Sequence, residues 1–152
     1  MADKRVNIGK QHPASYQALI AVSSAAEKSF VEAGLDPLLL ELLKIRASQI
    51  NGCAFCLRMH TGDALKKGES AERIAVLPAW AETGYFSDIE RGALQLTESI
   101  TLVADGHVSD ADYAAAAAVL SEEQISAVSW IAVVMNAFNR VAVTSRYRVG
   151  SH

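Results

Sequence analysis

The stretch Asp36-Pro37-Leu38-Leu39-Leu40-Glu41-Leu42-Leu43-Lys44-Ile45-Arg46-Ala47-Ser48-Gln49-Ile50-Asn51-Gly52-Cys53-Ala54-Phe55-Cys56-Leu57-Arg58-Met59-His60 decides how this chain folds. Asp36-Pro37 reads as a helix N-cap followed by proline at the first helical position, where its missing N–H costs nothing. Leu38 to Ile50 is dense in leucine and isoleucine, with Glu41, Lys44, Arg46 and Gln49 as its polar members. Asn51-Gly52 breaks that helix. A second helix runs from about Cys53 to Lys67 and stops at Gly68. The end of the first helix must therefore meet the start of the second across a tight turn.

Outward from this pair, helical signals recur. Pro13 opens a helix whose apolar face reads Tyr16, Leu19, Ile20, Ser23, Ala26 and Phe30, ended by Gly34. Ser70-Ala71-Glu72 starts a short helix ending near Pro78. Ser87 to Glu90 and Ser121 to Gln124 match capping boxes, leading into Leu94, Leu96, Ile100 and Val103, and into Ile125, Val128, Ile131, Ala132 and Met135. Ser109 begins an alanine-rich helix through Leu120; its run Ala114 to Ala118 means high helix propensity and close packing. Val141 to Thr144 either extends the last helix or forms a tail. No alternating strand pattern, linker or repeat interrupts the chain. The expectation is one all-α domain spanning 1–152, a helical bundle of about six to seven helices with its core motif over about 38–140.

Composition bounds the function. Of 152 residues, 51% are hydrophobic and 20% charged, with net charge −3, which suits a folded domain and carries no basic stripe for nucleic acid. No unbroken apolar run reaches the roughly 18 residues that span a bilayer, and Met1-Ala2-Asp3-Lys4-Arg5 lacks the apolar stretch of a secretory signal. The expectation is a cytoplasmic protein with no membrane and no nucleic-acid partner. In that reducing setting two cysteines spaced C-x-x-C read as redox-active or metal-binding rather than as a staple.

Cys53, Cys56 and His60 fall three and four apart, on one helical face. Cys53 stands at the first turn, where free N–H groups and the helix dipole favour a thiolate. Residues three apart there have Cα atoms about 5–6 Å apart, inside the range a disulfide accepts. His60 can reach Cys56, directly or through one water, and Glu41 on the preceding helix can orient or charge-balance the site. These are the parts of dithiol chemistry: two thiols that can bridge, a proton carrier and a carboxylate. The same residues are zinc ligand types, but structural zinc sites draw on two knuckles and no second one exists here. No metal or cofactor is expected. Read blandly, the cysteines are small buried hydrophobes, Glu41 a solvated helix residue and His60 a core histidine.

The stretch Glu41 to His60 resembles the core motif of the AhpD-like alkylhydroperoxidases, within the wider carboxymuconolactone decarboxylase family. The resemblance continues through Trp80, Phe86-Ser87 and Asn136-Ala137-Phe138-Asn139-Arg140. It implies an all-helical homo-oligomer, trimeric or hexameric. It implies Cys56 as the thiol that attacks a hydroperoxide, Cys53 as the resolving thiol, and Glu41 with His60 as a proton relay. A dithiol reductant, a lipoyl or thioredoxin-like protein, would reset the pair. This chain departs from the best-studied type of the family in one place: Phe55 stands where that type has a histidine, so one relay member is missing. The decarboxylase branch lacks the cysteine pair, which argues against lactone decarboxylation.

The expected function is a thiol-dependent peroxidase in antioxidant defence. The alternatives are a non-catalytic redox sensor or adaptor and a lyase or decarboxylase on the same fold. Elsewhere, His12 and His107 read as surface loop groups and His152 as uninformative. Trp80 and Trp130 read as core or interface. Asn136, Asn139 and Arg140 read as structural hydrogen-bonding groups beside the site or an ion pair between subunits.

Overall fold

The Asp36 carboxylate accepts from the Leu38 N–H at 2.8 Å, so the helix of the deciding stretch starts where its cap predicts. In the computed structural model, which describes residues 4–150, eight α-helices follow in order: α1 (Ile8–Gln11), α2 (Pro13–Glu32), α3 (Pro37–Asn51), α4 (Ala54–Lys66), α5 (Ala71–Val76), α6 (Asp88–Thr101), α7 (Asp110–Ala117) and α8 (Glu122–Ser145). Short 3₁₀ segments at Leu77–Glu82 and Val103–Asp105 join them, and no strand occurs among the described residues. Met1 to Asp3, part of the start read above as non-secretory, and His152 lie outside the described residues.

The count exceeds the expected six to seven by α1. There the Asn7 side chain accepts from the Lys10 N–H at 3.0 Å and closes a single turn just ahead of Pro13, too short to leave a periodic pattern. Both capping boxes form, at Ser87/Glu90 and Ser121/Gln124. Val141 to Thr144 continues α8 to Ser145.

Helix α3 runs through the middle, packed against α4, α6 and α8. Its leucine-isoleucine density follows: Leu39, Leu42, Leu43 and Ile45 are all buried, because the helix meets protein on nearly every side. Around it lie Phe30 from α2, Leu94 and Leu96 from α6, and Val128 and Ile131 from α8. Helix α8 corrects one expectation. By length and composition it is apolar enough to cross a bilayer. A search for an unbroken apolar run misses it because serines, asparagines and an arginine interrupt the helix. Its buried residues, among them Ile125, Val128, Ile131 and Met135, face the rest of the protein, which makes α8 a core helix here.

A polar seam fixes α3 against α8. The Asn51 amide donates to Asn136 Oδ1 and Asn139 Oδ1, each at 2.9 Å. Asn139 donates to Ser48 Oγ at 3.0 Å, and Asn136 donates to Thr101 Oγ1 of α6 at 3.0 Å. Arg140 donates to Asn136 Oδ1 at 2.8 Å. These are the structural hydrogen bonds that the asparagines of α8 suggested, and they hold the end of α3 from which the cysteine turn departs.

Candidate active site

Gly52 adopts the left-handed conformation (φ 65°, ψ 33°), which a side chain would strain. Its N–H returns to Gln49 and that of Cys53 to Ser48, so the carbonyls ending α3 are satisfied while the chain reverses. The turn delivers Cys53 as the N-cap of α4 rather than as its first helical residue. Its backbone is extended, and its Sγ accepts from the Cys56 N–H at 3.3 Å. Cys53 therefore reaches Cys56 from the cap, not along the helix face. The Cα atoms are 5.4 Å apart and the sulfurs form a disulfide. Both cysteines are buried.

One turn along α4 from Cys56, His60 is buried and faces Glu41, also buried, in the second turn of α3. His60 Nδ1 and Glu41 Oε2 stand 3.5 Å apart, at ion-pair distance, and neither atom has a hydrogen-bond partner among the described residues. A carboxylate opposite Nδ1 favours the tautomer with its proton there, leaving the other ring nitrogen free to take or hold a proton. The second carboxylate oxygen receives Lys67 Nζ at 2.6 Å, with Lys44 Nζ at 3.8 Å; Lys44 also pairs with Glu27 of α2 at 2.5 Å. Burial alone would raise the Glu41 pKa. The close approach of His60, the hydrogen bond from Lys67 and the charge of Lys44 outweigh it and hold the carboxyl down at about 2. Reciprocally, the bond to Glu41 raises the Lys67 pKa. Glu41 is thus a fixed anion at neutral pH, and Lys67, half-exposed, links it to solvent.

Lys44, Lys67 and Glu27 are the members of this cluster that the C-x-x-C reading does not include. Two carried a local signal: Lys44 is three residues from Glu41 on α3, and Lys67 is seven beyond His60, two turns along the same face. Glu27 had none, because α2 meets α3 only in the folded chain. Glu41, His60 and Asp63 also bring one donor atom each within 4.8 Å of one another, a set of metal-ligand types. The Lys67 ammonium at 2.6 Å already occupies one Glu41 oxygen of that set.

Cys56 and His60 open on a cavity of about 230 Å³. Its walls are Tyr16 and Ile20 of α2, Phe55 and Met59 of α4, and Ile131, Val134, Met135 and Phe138 of α8; Lys44 and Glu27 supply the charged edge. Cys53 lies on a different opening, about 330 Å³, lined by Arg5, Ala54, Val143 and Arg146. Phe55 and Tyr147 border both spaces, stacked edge to face with centroids 5.1 Å apart. Arg146 is left-handed (φ 51°) and turns the chain back after α8, which lays Tyr147 against Phe55. The phenylalanine in the histidine position of the motif is therefore a wall between two approaches to one disulfide.

His12 and His107 are exposed, and Trp80 is buried with its indole N–H donated to Glu98 at 2.7 Å. Trp130 is 52% exposed on α8, so it is no part of the core.

Residues 13–99 match the carboxymuconolactone decarboxylase family. The chain is 40% identical over 125 residues to the uncharacterized protein YdfG of Bacillus subtilis (strain 168), covering 82% of this chain and 85% of that one. It also superposes on the crystal structure of an Agrobacterium tumefaciens protein, ATU0492, of unknown function but provisionally assigned there to antioxidant defence as AhpD. The TM-score is 0.88 at 29% identity, over 99% of this chain and 100% of that one. With a matched segment that includes α3, the Gly52 turn and the Cys53–Cys56 pair, this chain belongs to the carboxymuconolactone decarboxylase family and is AhpD-like.

Proposed function

We propose that the protein is a thiol-dependent peroxidase that reduces organic hydroperoxides, in antioxidant defence within the cytoplasm. The observation that carries this reading is the opening of Cys56 and His60 together onto one largely apolar cavity, with Glu41 held ionised behind the imidazole. The apolar walls suit the organic part of the substrate, and the buried polar end suits its O–O group.

In the reduced protein, Cys56 thiolate attacks the terminal peroxide oxygen. The O–O bond breaks, His60 supplies the proton that lets the alcohol leave, and Cys56 becomes a sulfenic acid. Glu41 stabilises the imidazolium that precedes this transfer, and Lys67 connects the pair to bulk solvent. Cys53 thiolate then attacks Cys56 Sγ; the S–O bond breaks, the departing hydroxide takes a proton from the His60 side and leaves as water, and the disulfide forms. A thiol reductant returns two electrons and two protons. Phe55 removes one histidine from the relay of the best-studied type, and the Glu41–His60–Lys67 chain stands in its place.

The test is mass spectrometry after one equivalent of cumene hydroperoxide on the reduced protein. The expected result is rapid loss of the two thiol hydrogens and formation of one equivalent of alcohol. Thiols that survive the peroxide unchanged would rule the reading out.

A further inference from the structure

The two sulfurs of one disulfide face different surroundings. Cys56 looks into the apolar cavity with His60. Cys53 lies at the base of the opening flanked by Arg5 and Arg146. A third guanidinium, Arg58, stands 5.7 Å over the Phe55 ring that separates the two spaces. All three arginines are exposed, in a chain whose net charge is −3, and none is within ion-pair distance of a carboxylate among the described residues. Arg5 is held at the opening by its bond to the Val143 carbonyl at 3.4 Å. The other basic groups near the disulfide, Lys44 and Lys67, are neutralised by Glu27 and Glu41. Unpaired positive charge thus lines the Cys53 opening, through Arg5 and Arg146, while the one lysine lining the Cys56 cavity is paired with Glu27.

From this we infer that the Cys53 opening is the reductant site, and that it selects a small thiol carrying a carboxylate, oriented by Arg5 and Arg146. Cys53 is only 2% exposed, so a reductant must enter the opening, whose size suits a small molecule rather than a flat protein face. The inference rests on the proposed peroxidase cycle for its place in turnover, but its chemistry is separable. The reductant thiolate attacks Cys53 Sγ, and the S–S bond breaks. Cys56 leaves as a thiolate on the far side of the Phe55–Tyr147 wall and takes its proton from the His60 side. A second thiol then attacks the reductant sulfur of the mixed disulfide, releasing Cys53 and an oxidised reductant. Two electrons and two protons have entered the protein. Arginine on the entry side attracts the anionic reductant and favours the attacking thiolate; the wall keeps that charge away from the apolar substrate cavity.

The experiment measures reduction of the oxidised protein by 3-mercaptopropionate, 2-mercaptoethanol and cysteamine, which differ in charge. Thiols are trapped by alkylation and counted by mass. Each rate is divided by that thiol's rate on a neutral reference disulfide, which removes intrinsic reactivity. The wild type is expected to prefer 3-mercaptopropionate over cysteamine by about five- to tenfold at low ionic strength, converging in high salt. Arg5→Gln/Arg146→Gln is expected to bring the three normalised rates together. Equal normalised rates in the wild type, or a preference that survives in the double variant, would overturn the inference. The wild-type salt dependence decides by itself if the double variant folds poorly. No peroxide is present, so this result is independent of whether the reduced thiols react with hydroperoxide.

Discussion

At the residue scale the decisive group is Glu41. A carboxylate buried on an apolar helix survives because His60, Lys67 and Lys44 converge on it. Its folded pKa of about 2 lies below the ordinary value of 4.5, so the stabilisation from its ionised form is fully present above pH 4.5 and drains away as the pH falls towards 2. Its size at neutral pH is on the order of 3 kcal/mol. In Glu41→Gln, urea melts should show a lower stability at pH 7 than the wild type, with the gap closing across that acid window. A gap that stays constant with pH would show that the carboxylate charge is not what matters. The thiols give a second prediction. Cys56 shares its cavity with His60 and Cys53 does not, so Cys53→Ser should accumulate a sulfenic acid on Cys56 that dimedone traps. Cys56→Ser should lose fast reaction with hydroperoxide, by roughly 10²-fold or more if proton transfer from His60 is tied to that sulfur. The opposite pattern would reverse the two roles.

At the scale of elements, α3, α6 and α8 are joined by polar and close-packed contacts as well as by their apolar core. Asn139 is 1% exposed and bridges Asn51 to Ser48. Asn139→Ala leaves Ser48 and Asn51 short of a partner inside the protein, and should lower stability by about 1–3 kcal/mol in a denaturant titration. It should also loosen the Gly52 turn, seen as faster amide exchange at Cys53. Helix α6 meets α7 at Gly92, where an added Cβ would come within 2.5 Å of Val119 Cγ2. Alanine gains about 1 kcal/mol of helix propensity over glycine, but overpacking costs about 1–3 kcal/mol. Gly92→Ala should therefore lower the melting temperature. A raised melting temperature would mean that Val119 moves aside freely.

At the scale of the whole molecule, the apolar surface is more extensive than the core requires. Val22 and Val31 of α2 and Trp130 and Val133 of α8 are all exposed, the last two on the face of α8 turned away from the core. The proposal that the protein is a homo-oligomer, trimeric or hexameric, rests on these faces together with the family. Light scattering at micromolar concentration should give a multiple of the 16.3 kDa chain mass, and Trp130→Lys should reduce it. A monomer mass for the wild type would end that proposal.

What the sequence by itself determined was local. Caps, helix stops and the Leu-Ile run set most helix positions within a residue or two, because Asp36-Pro37, Gly52, Gly68, Ser87 and Ser121 act through their own backbone neighbourhood. The Cys56–His60 pairing was legible for the same reason, being one turn of one helix. Only the tertiary structure decided the remainder. It made Cys53 a cap, made α8 a core helix despite its hydropathy, and brought Glu27, Glu41, Lys44 and Lys67 from two helices and the end of a third to one point. It also set Tyr147 against Phe55 and so gave the two sulfurs separate approaches. These features depend on where helices cross, and helix crossings follow from packing across distant segments, which no periodicity within a single segment encodes.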